Sequence, residues 1–202
     1  MFERKAIYTY KTVIAKVATV AIVNELIKTY LFKINKIKLT VFSENKFNLG
    51  NFDKMWLVNN ISSLLGFGVS DLFAYKLTEN LKLKGNKKQA LHDVVRYGTM
   101  LFVKLIAMST YTNKDITTDK ILFIFYILIG YVVFDLLFAD KQIFTNKKTN
   151  FVMFNTGRTI AGVLASDFLV DFDLETNILP TVFSLFVSVP IWGFIILPKI
   201  KK

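Results

Sequence analysis

Cysteine is absent from all 202 residues and histidine occurs once. Disulfides, thiolate metal sites and cysteine nucleophiles are therefore excluded, as is a histidine-rich metal centre within one chain. Proline and glycine are scarce, at 3 and 9, which rules out collagen-like and low-complexity disordered chains. Acidic residues are outnumbered: 15 Asp and Glu stand against 26 Lys and Arg, a net charge of +11. Also missing are a Ser-His-Asp set, flanking carboxylates, a Walker motif and any metal-ligand spacing. The sequence has neither the YD plus GxGD pattern of intramembrane aspartyl proteases nor the DxxDG-type motif of phospholipid head-group transferases. No catalytic residue, metal ligand or cofactor is assigned, and the chain is not expected to be an enzyme.

What is present is apolar and arrives in blocks. Apolar residues make up 53% of the chain, aromatic residues 15%, and Phe alone numbers 20. Residues 121–139 hold one charge in nineteen, and residues 178–197 hold none. Each is long enough, at 1.5 Å per residue, to cross a hydrocarbon layer of about 30 Å. Residues 55–75, 90–109 and 151–170 carry internal polar groups, which a membrane tolerates where they face other helices. Residues 12–31 contain Lys16, Glu25 and Lys28, so this segment fits either a span or an interfacial amphipathic helix. The expected fold class is all-α, a polytopic transmembrane bundle of five or six spans built from antiparallel hairpins. It forms a single membrane domain over residues 1–202 with an extramembrane arm at 33–54. Within the arm, Ile34–Phe42 alternates well enough for a short strand. The basic start has no small-residue cleavage site after it, so a removable signal peptide is not expected.

With six spans, alternate loops collect unequal charge. One side holds Arg4, Lys5, Lys11, Lys76, Lys82, Lys84, Lys87, Lys88, Lys141, Lys147, Lys148, Lys199, Lys201 and Lys202. The other holds Lys33, Lys36, Lys38, Lys46, Lys54, Lys114 and Lys120. That twofold bias predicts both termini on the cytoplasmic-equivalent side. Lys82, Lys84, Lys87, Lys88, Lys147 and Lys148 become candidate contacts to anionic headgroups or to a protein partner. Nothing aromatic interleaves these runs to stack bases, which argues against nucleic acid.

The middle hairpins resemble one another. Leu65-Gly66-Phe67-Gly68-Val69-Ser70-Asp71 aligns with Ile129-Gly130-Tyr131-Val132-Val133-Phe134-Asp135, and Asn-Lys-Lys recurs at Asn86–Lys88 and Asn146–Lys148. Arg96 and Arg158 follow in the return helices. Depth along each hairpin predicts two intramembrane pairs, Asp71 with Arg96 and Asp135 with Arg158, serving as structural clips. The sharper alternative is a binding or conduction site. Gly66-Phe67-Gly68 reads as a close helix contact, since no Lys-Ser/Thr follows it. Gly157, Ala161, Gly162 and Ala165 offer a small-residue packing face. His92 and Asp93 are adjacent and so point in different directions on a helix, which argues against a catalytic dyad. Pro190 is expected to kink the last span and Pro198 to end it.

A chain rich in Lys, Asn, Ile and Phe, small, multi-span and without motifs, resembles the membrane-embedded minor capsid proteins of large icosahedral DNA viruses. In the same respects it is similar to accessory subunits of protist mitochondrial complexes. The viral resemblance implies a scaffold in an internal virion membrane, contacting an overlying shell through basic loops or the 33–54 arm. The expected function is a structural multi-pass membrane protein of a larger assembly, whose partners are the bilayer and other subunits. A small transporter or channel using the Asp/Arg pairs is the alternative, and a lipid-binding organiser is another.

Overall fold

The computed structural model describes residues 10–33, 36–38, 46–48, 54–79, 81, 83, 85–170 and 178–200. It is helical throughout apart from a small ribbon. The helices are α1 (Tyr10–Leu26), α2 (Lys54–Glu79), α3 (Gly85–Thr112), α4 (Thr118–Phe138), α5 (Lys147–Val170) and α6 (Leu179–Ile200). A π-helical turn, Ile27–Leu31, extends α1. Strands β1 (Lys36–Lys38) and β2 (Lys46–Asn48) pair antiparallel with Ile37 opposite Phe47. The arm expected at 33–54 therefore contains a hairpin; residues 34–35 and 39–42 of its expected strand lie outside the described residues.

Local signals set the helix ends. Asn146 Oδ1 accepts from the backbone N–H groups of Lys148 (2.9 Å) and Thr149 (3.2 Å), so it caps the free donors at the start of α5. Asn113 leaves α3 in the left-handed region at φ 52°, a conformation Asn tolerates at a helix C-terminus. Gly85 opens α3 at φ +58° with Asp140 Oδ2 3.0 Å from where a Cβ would stand, so both backbone and space favour glycine there.

Each helix packs on its neighbours in chain order, and α6 returns to α1, closing a ring. Cross-helix contacts give the directions. Asn86 Nδ2 of α3 donates to the Leu136 carbonyl near the end of α4 at 3.1 Å. Gly157 of α5 faces Phe134 of α4, while Ala161 and Ala165 face Gly130. Lys28 Nζ donates to Thr181 Oγ1 at 2.7 Å, and Lys16 Nζ lies 5.1 Å from the Trp192 ring centroid. Residues twelve apart on α1 thus meet residues eleven apart, in reverse order, on α6. The two helices run antiparallel and side by side over about 17 Å.

The interior has two apolar clusters. One joins Phe67, Tyr97, Leu101, Leu105, Met108, Ile124, Ile127 and Tyr131; the other joins Leu185, Val189, Trp192 and Leu197 with Phe151 and Val163. The outer surface is also apolar. Leu57, Ile61, Leu65 and Val69 form an exposed stripe on α2 at four-residue spacing, and Phe125, Ile129, Val133 and Leu136 form one on α4. Exposed Ile14 and Ile22 on α1, Phe102 and Ile106 on α3, Leu164 on α5 and Phe183 and Phe186 on α6 continue it. Polar side chains lie inside instead: Ser62, Ser70, Asp93, Arg96, Asp135, Thr156, Arg158, Ser184 and Ser188 are all buried. Apolar side chains therefore lie both inside and outside, and the interior holds charge as well.

By length and composition, α4 and α6 are the two helices among the described residues able to cross a membrane. The expected count of five or six spans is not met by that criterion, and α2 offers a shorter apolar stretch, Leu57–Ser70, among the described residues. Most elements also run beyond the apolar windows, with α3 starting at Gly85 rather than at 90 and α5 at Lys147 rather than at 151. Pro198 does not end the last helix, which continues to Ile200. Pro190 instead leads into a π-helical stretch, Ile191–Ile196. Lys148 Nζ of α5 donates to the Phe194 carbonyl, inside this stretch, at 3.4 Å.

Candidate functional site: a buried charge cluster across three helices

The ring is bridged near the lysine-rich end. On α3, the residues Gln89, Asp93, Arg96, Tyr97, Leu101, Leu105 and Met108 recur every three or four positions and are all buried, forming one inward face. Its first half is polar. On α4, Tyr131 and Asp135 lie four apart, and on α5, Asn155 and Arg158 lie three apart, so each pair shares a face. All of these are buried.

Arg158 is the hub. Its Nη1 donates to Asp93 Oδ2, and its Nη2 donates to Tyr97 Oη (2.8 Å) and Asn155 Oδ1 (2.9 Å). Asp135 Oδ1 stands 3.9 Å from the same Nη1. Gln89 Nε2 also donates to Asp93 Oδ2, and His92 Nδ1 lies 3.5 Å from Asp93 Oδ1. Aromatic rings close around the guanidinium, with centroids 5.0 Å (Tyr97), 5.6 Å (Phe154) and 6.0 Å (Tyr131) from its Cζ. Arg96 Cζ lies 5.2 Å from the Phe67 ring centroid. Two acids and two arginines thus share a dry pocket, where charge-assisted hydrogen bonds and cation–π contacts offset desolvation.

The structure brings Arg158 and Asp135 within ion-pair distance. The carboxylate hydrogen bonded to Arg158, however, is Asp93, which comes from the preceding hairpin. Depth along a hairpin was the wrong guide for this bond: depth fixes level, whereas rotation of α3 turns Asp93 toward α5. The Asp71 side chain lies outside the described residues, as do Lys82 and Lys84. Lys87, Lys147 and Lys148 are exposed, and Lys88 is half-buried. The sequence offers Asp93 only as a neighbour of His92 and offers nothing for Gln89, Tyr97 or Asn155, although the four-residue spacing Gln89–Asp93–Tyr97 places those three on one helical face.

The two middle hairpins use matching contacts. A Cβ on Gly66 would sit 2.7 Å from the Met100 Cα on the return helix, four residues after Arg96. A Cβ on Gly130 would sit 2.9 Å from the Ala161 carbonyl carbon, three residues after Arg158. The next residue in each case, Phe67 or Tyr131, turns its ring to that hairpin's arginine. Both arginines lie eleven residues after the first residue of their helices, Gly85 and Lys147.

No protein-family model, curated protein or solved structure matches this chain. Geometry must therefore speak alone. Among the described residues no three His, Asp or Glu side chains come together to hold a metal ion. The cluster binds its own members, which suits it to holding helices together.

Proposed function

We propose that the chain is a multi-pass membrane protein whose six helices span as a bundle and whose role is structural, within a larger membrane assembly. One observation carries the reading: all six helices expose apolar side chains outward, while the charged groups of three of them meet at the centre. Lipid reverses the solvent preference of a soluble protein, so apolar surface belongs outside and ionised groups belong inside with partners. The antiparallel match of α1 with α6 supports reading α1 as a span rather than an interfacial helix. An even number of spans, with the basic bias at the shared end of both termini, orients that end to the cytoplasmic-equivalent side.

The structural role is supported by closure of the charge cluster. Asp93, Arg96, Asp135 and Arg158 are each at most 2% exposed, and aromatic rings line the guanidinium groups. A solute site would need those groups to be open to water. The β1–β2 hairpin supplies contacts to neighbouring subunits, as in a scaffold linking a membrane to an overlying protein layer.

The absence of cysteine makes the test direct. Single cysteines at Asp115, in the α3–α4 loop, and at Gln142, in the α4–α5 loop, should react with an impermeant maleimide from opposite sides of sealed vesicles. Labelling of both from one side would end the six-span topology. Reconstituted protein should conduct no ions and should co-purify with other proteins in mild detergent; flux abolished by Asp135→Asn would establish the transporter reading instead.

A further inference from the structure

We infer that the lysine-bearing end of the bundle is a docking surface for anionic phospholipid headgroups, an inference that rests on the membrane reading above. Contacts among α1, α3, α4, α5 and α6 bring one end of each together. That end displays exposed Lys11, Lys87, Lys141, Lys147, Lys148 and Lys199. Among the side chains described there, Asp140 is the one exposed acid. At the opposite end the exposed Lys33 and Lys54 are accompanied by the exposed Asp115 and Asp119, and Lys120 is buried with its ammonium on the Asp115 carbonyl at 2.7 Å. The two ends therefore present different fields to the two leaflets.

The lysines of the α4–α5 turn are displayed on a fixed backbone. Asn150 Oδ1 accepts from the N–H groups of Ile143 (2.8 Å) and Phe144 (3.1 Å), and its Nδ2 donates to the Lys141 carbonyl at 3.4 Å. Lys141 Nζ lies 5.3 Å from the Phe138 ring centroid and Lys148 Nζ 5.5 Å from that of Phe194. Both ammonium groups thus sit beside aromatic rings at the edge of the apolar belt, where exposed Leu136, Leu137 and Phe194 begin. This is the placement of lysines that reach from hydrocarbon to headgroup level. A molecule filling this surface meets ammonium groups above and apolar side chains directly below. An anionic lipid satisfies both, with its phosphate on the lysines and its chains on the belt; an acidic protein satisfies only the upper half.

The test uses the full chain in phosphatidylcholine vesicles with trace spin-labelled phosphatidylglycerol or phosphatidylcholine. The immobilised fraction should favour phosphatidylglycerol by about fivefold at low salt, the factor one lysine–headgroup contact supplies, and the preference should fall toward one in 1 M NaCl. Lys141→Gln/Lys147→Gln/Lys148→Gln should abolish it. Because Lys148 also serves α6, Lys87→Gln/Lys141→Gln/Lys147→Gln is run in parallel and should lower it as well. Equal immobilisation of the two lipids by the wild type, or an undiminished preference in both variants, would overturn the inference. So would a wild type that binds soluble polyglutamate but shows no lipid preference. Carbonate extraction separates the two claims: a chain washed off the vesicles fails the membrane reading, whereas a resistant chain without the preference fails only this one.

Discussion

Arg158 on α5 is hydrogen bonded to Asp93 on α3, so this buried ion pair skips α4 and ties the second middle hairpin to the first. Breaking one side of a buried ion pair leaves an uncompensated charge and costs about 3–5 kcal/mol, while removing both sides costs much less. Asp93→Asn and Arg158→Gln should each destabilise strongly, and the double substitution should recover at least about 1 kcal/mol relative to their sum. Thermal or denaturant unfolding in detergent measures the cycle. Additive losses would mean that the link contributes nothing as a pair.

The glycine seats predict a graded series. Gly66→Ala and Gly130→Ala place a methyl group against return-helix backbone, at 2.7 Å from Met100 Cα and 2.9 Å from the Ala161 carbonyl carbon. Neither backbone can move without opening its hairpin, so each change should cost about 1–3 kcal/mol. Gly98→Ala meets only the Leu128 side chain, at 3.4 Å (Cδ1) and 4.0 Å (Cδ2), and gains helix propensity worth up to about 1 kcal/mol, so it should be neutral or stabilising. Unfolding midpoints of the three variants give the order.

The carbonyl of Phe194 on α6 accepts from Lys148 on α5. Lys148→Met should cost about 1 kcal/mol by leaving that oxygen without its ammonium donor. Thermal unfolding in detergent measures the loss, and an unchanged midpoint would show that the lysine does not act through this oxygen.

Charge placed on the outer stripes separates lipid from water as the surrounding solvent. Leu65→Lys and Ile129→Lys should each cost about 2.5–3.5 kcal/mol of insertion if those faces meet hydrocarbon. On a water-soluble helix the same exposed positions would accept lysine within about 0.5 kcal/mol. A translocon insertion assay reports the difference.

Much of the helical layout is legible in the sequence because apolar blocks are long and polar interruptions periodic. The helices nevertheless run beyond their apolar windows at most ends, since caps such as Asn146 and a left-handed exit at Asn113 set the boundaries, and hydropathy does not register either. Of the candidate charges, Arg96, Asp135 and Arg158 are visible as costly residues in greasy segments. Asp93 is visible only beside His92, where adjacency argues against a dyad and gives no hint of a partner on another helix. Only rotation about α3, which depends on how Gly98, Tyr97 and Leu101 pack against α4, turns it inward. The helix likewise runs past Pro198 to Ile200, and the bond from Lys148 to the Phe194 carbonyl, forty-six residues apart, is one no local pattern reveals.

Collision accessibility of a nitroxide on a single cysteine at Ile129, halfway along α4 and exposed on its outer stripe, reports directly what surrounds the bundle. In reconstituted bilayers, oxygen should relax this label strongly and a water-soluble nickel complex should barely reach it, while a label at Lys147 should show the reverse. Ready access of the nickel complex to position 129 would mean that the apolar outer face lies in water, and the membrane-bundle account would be wrong.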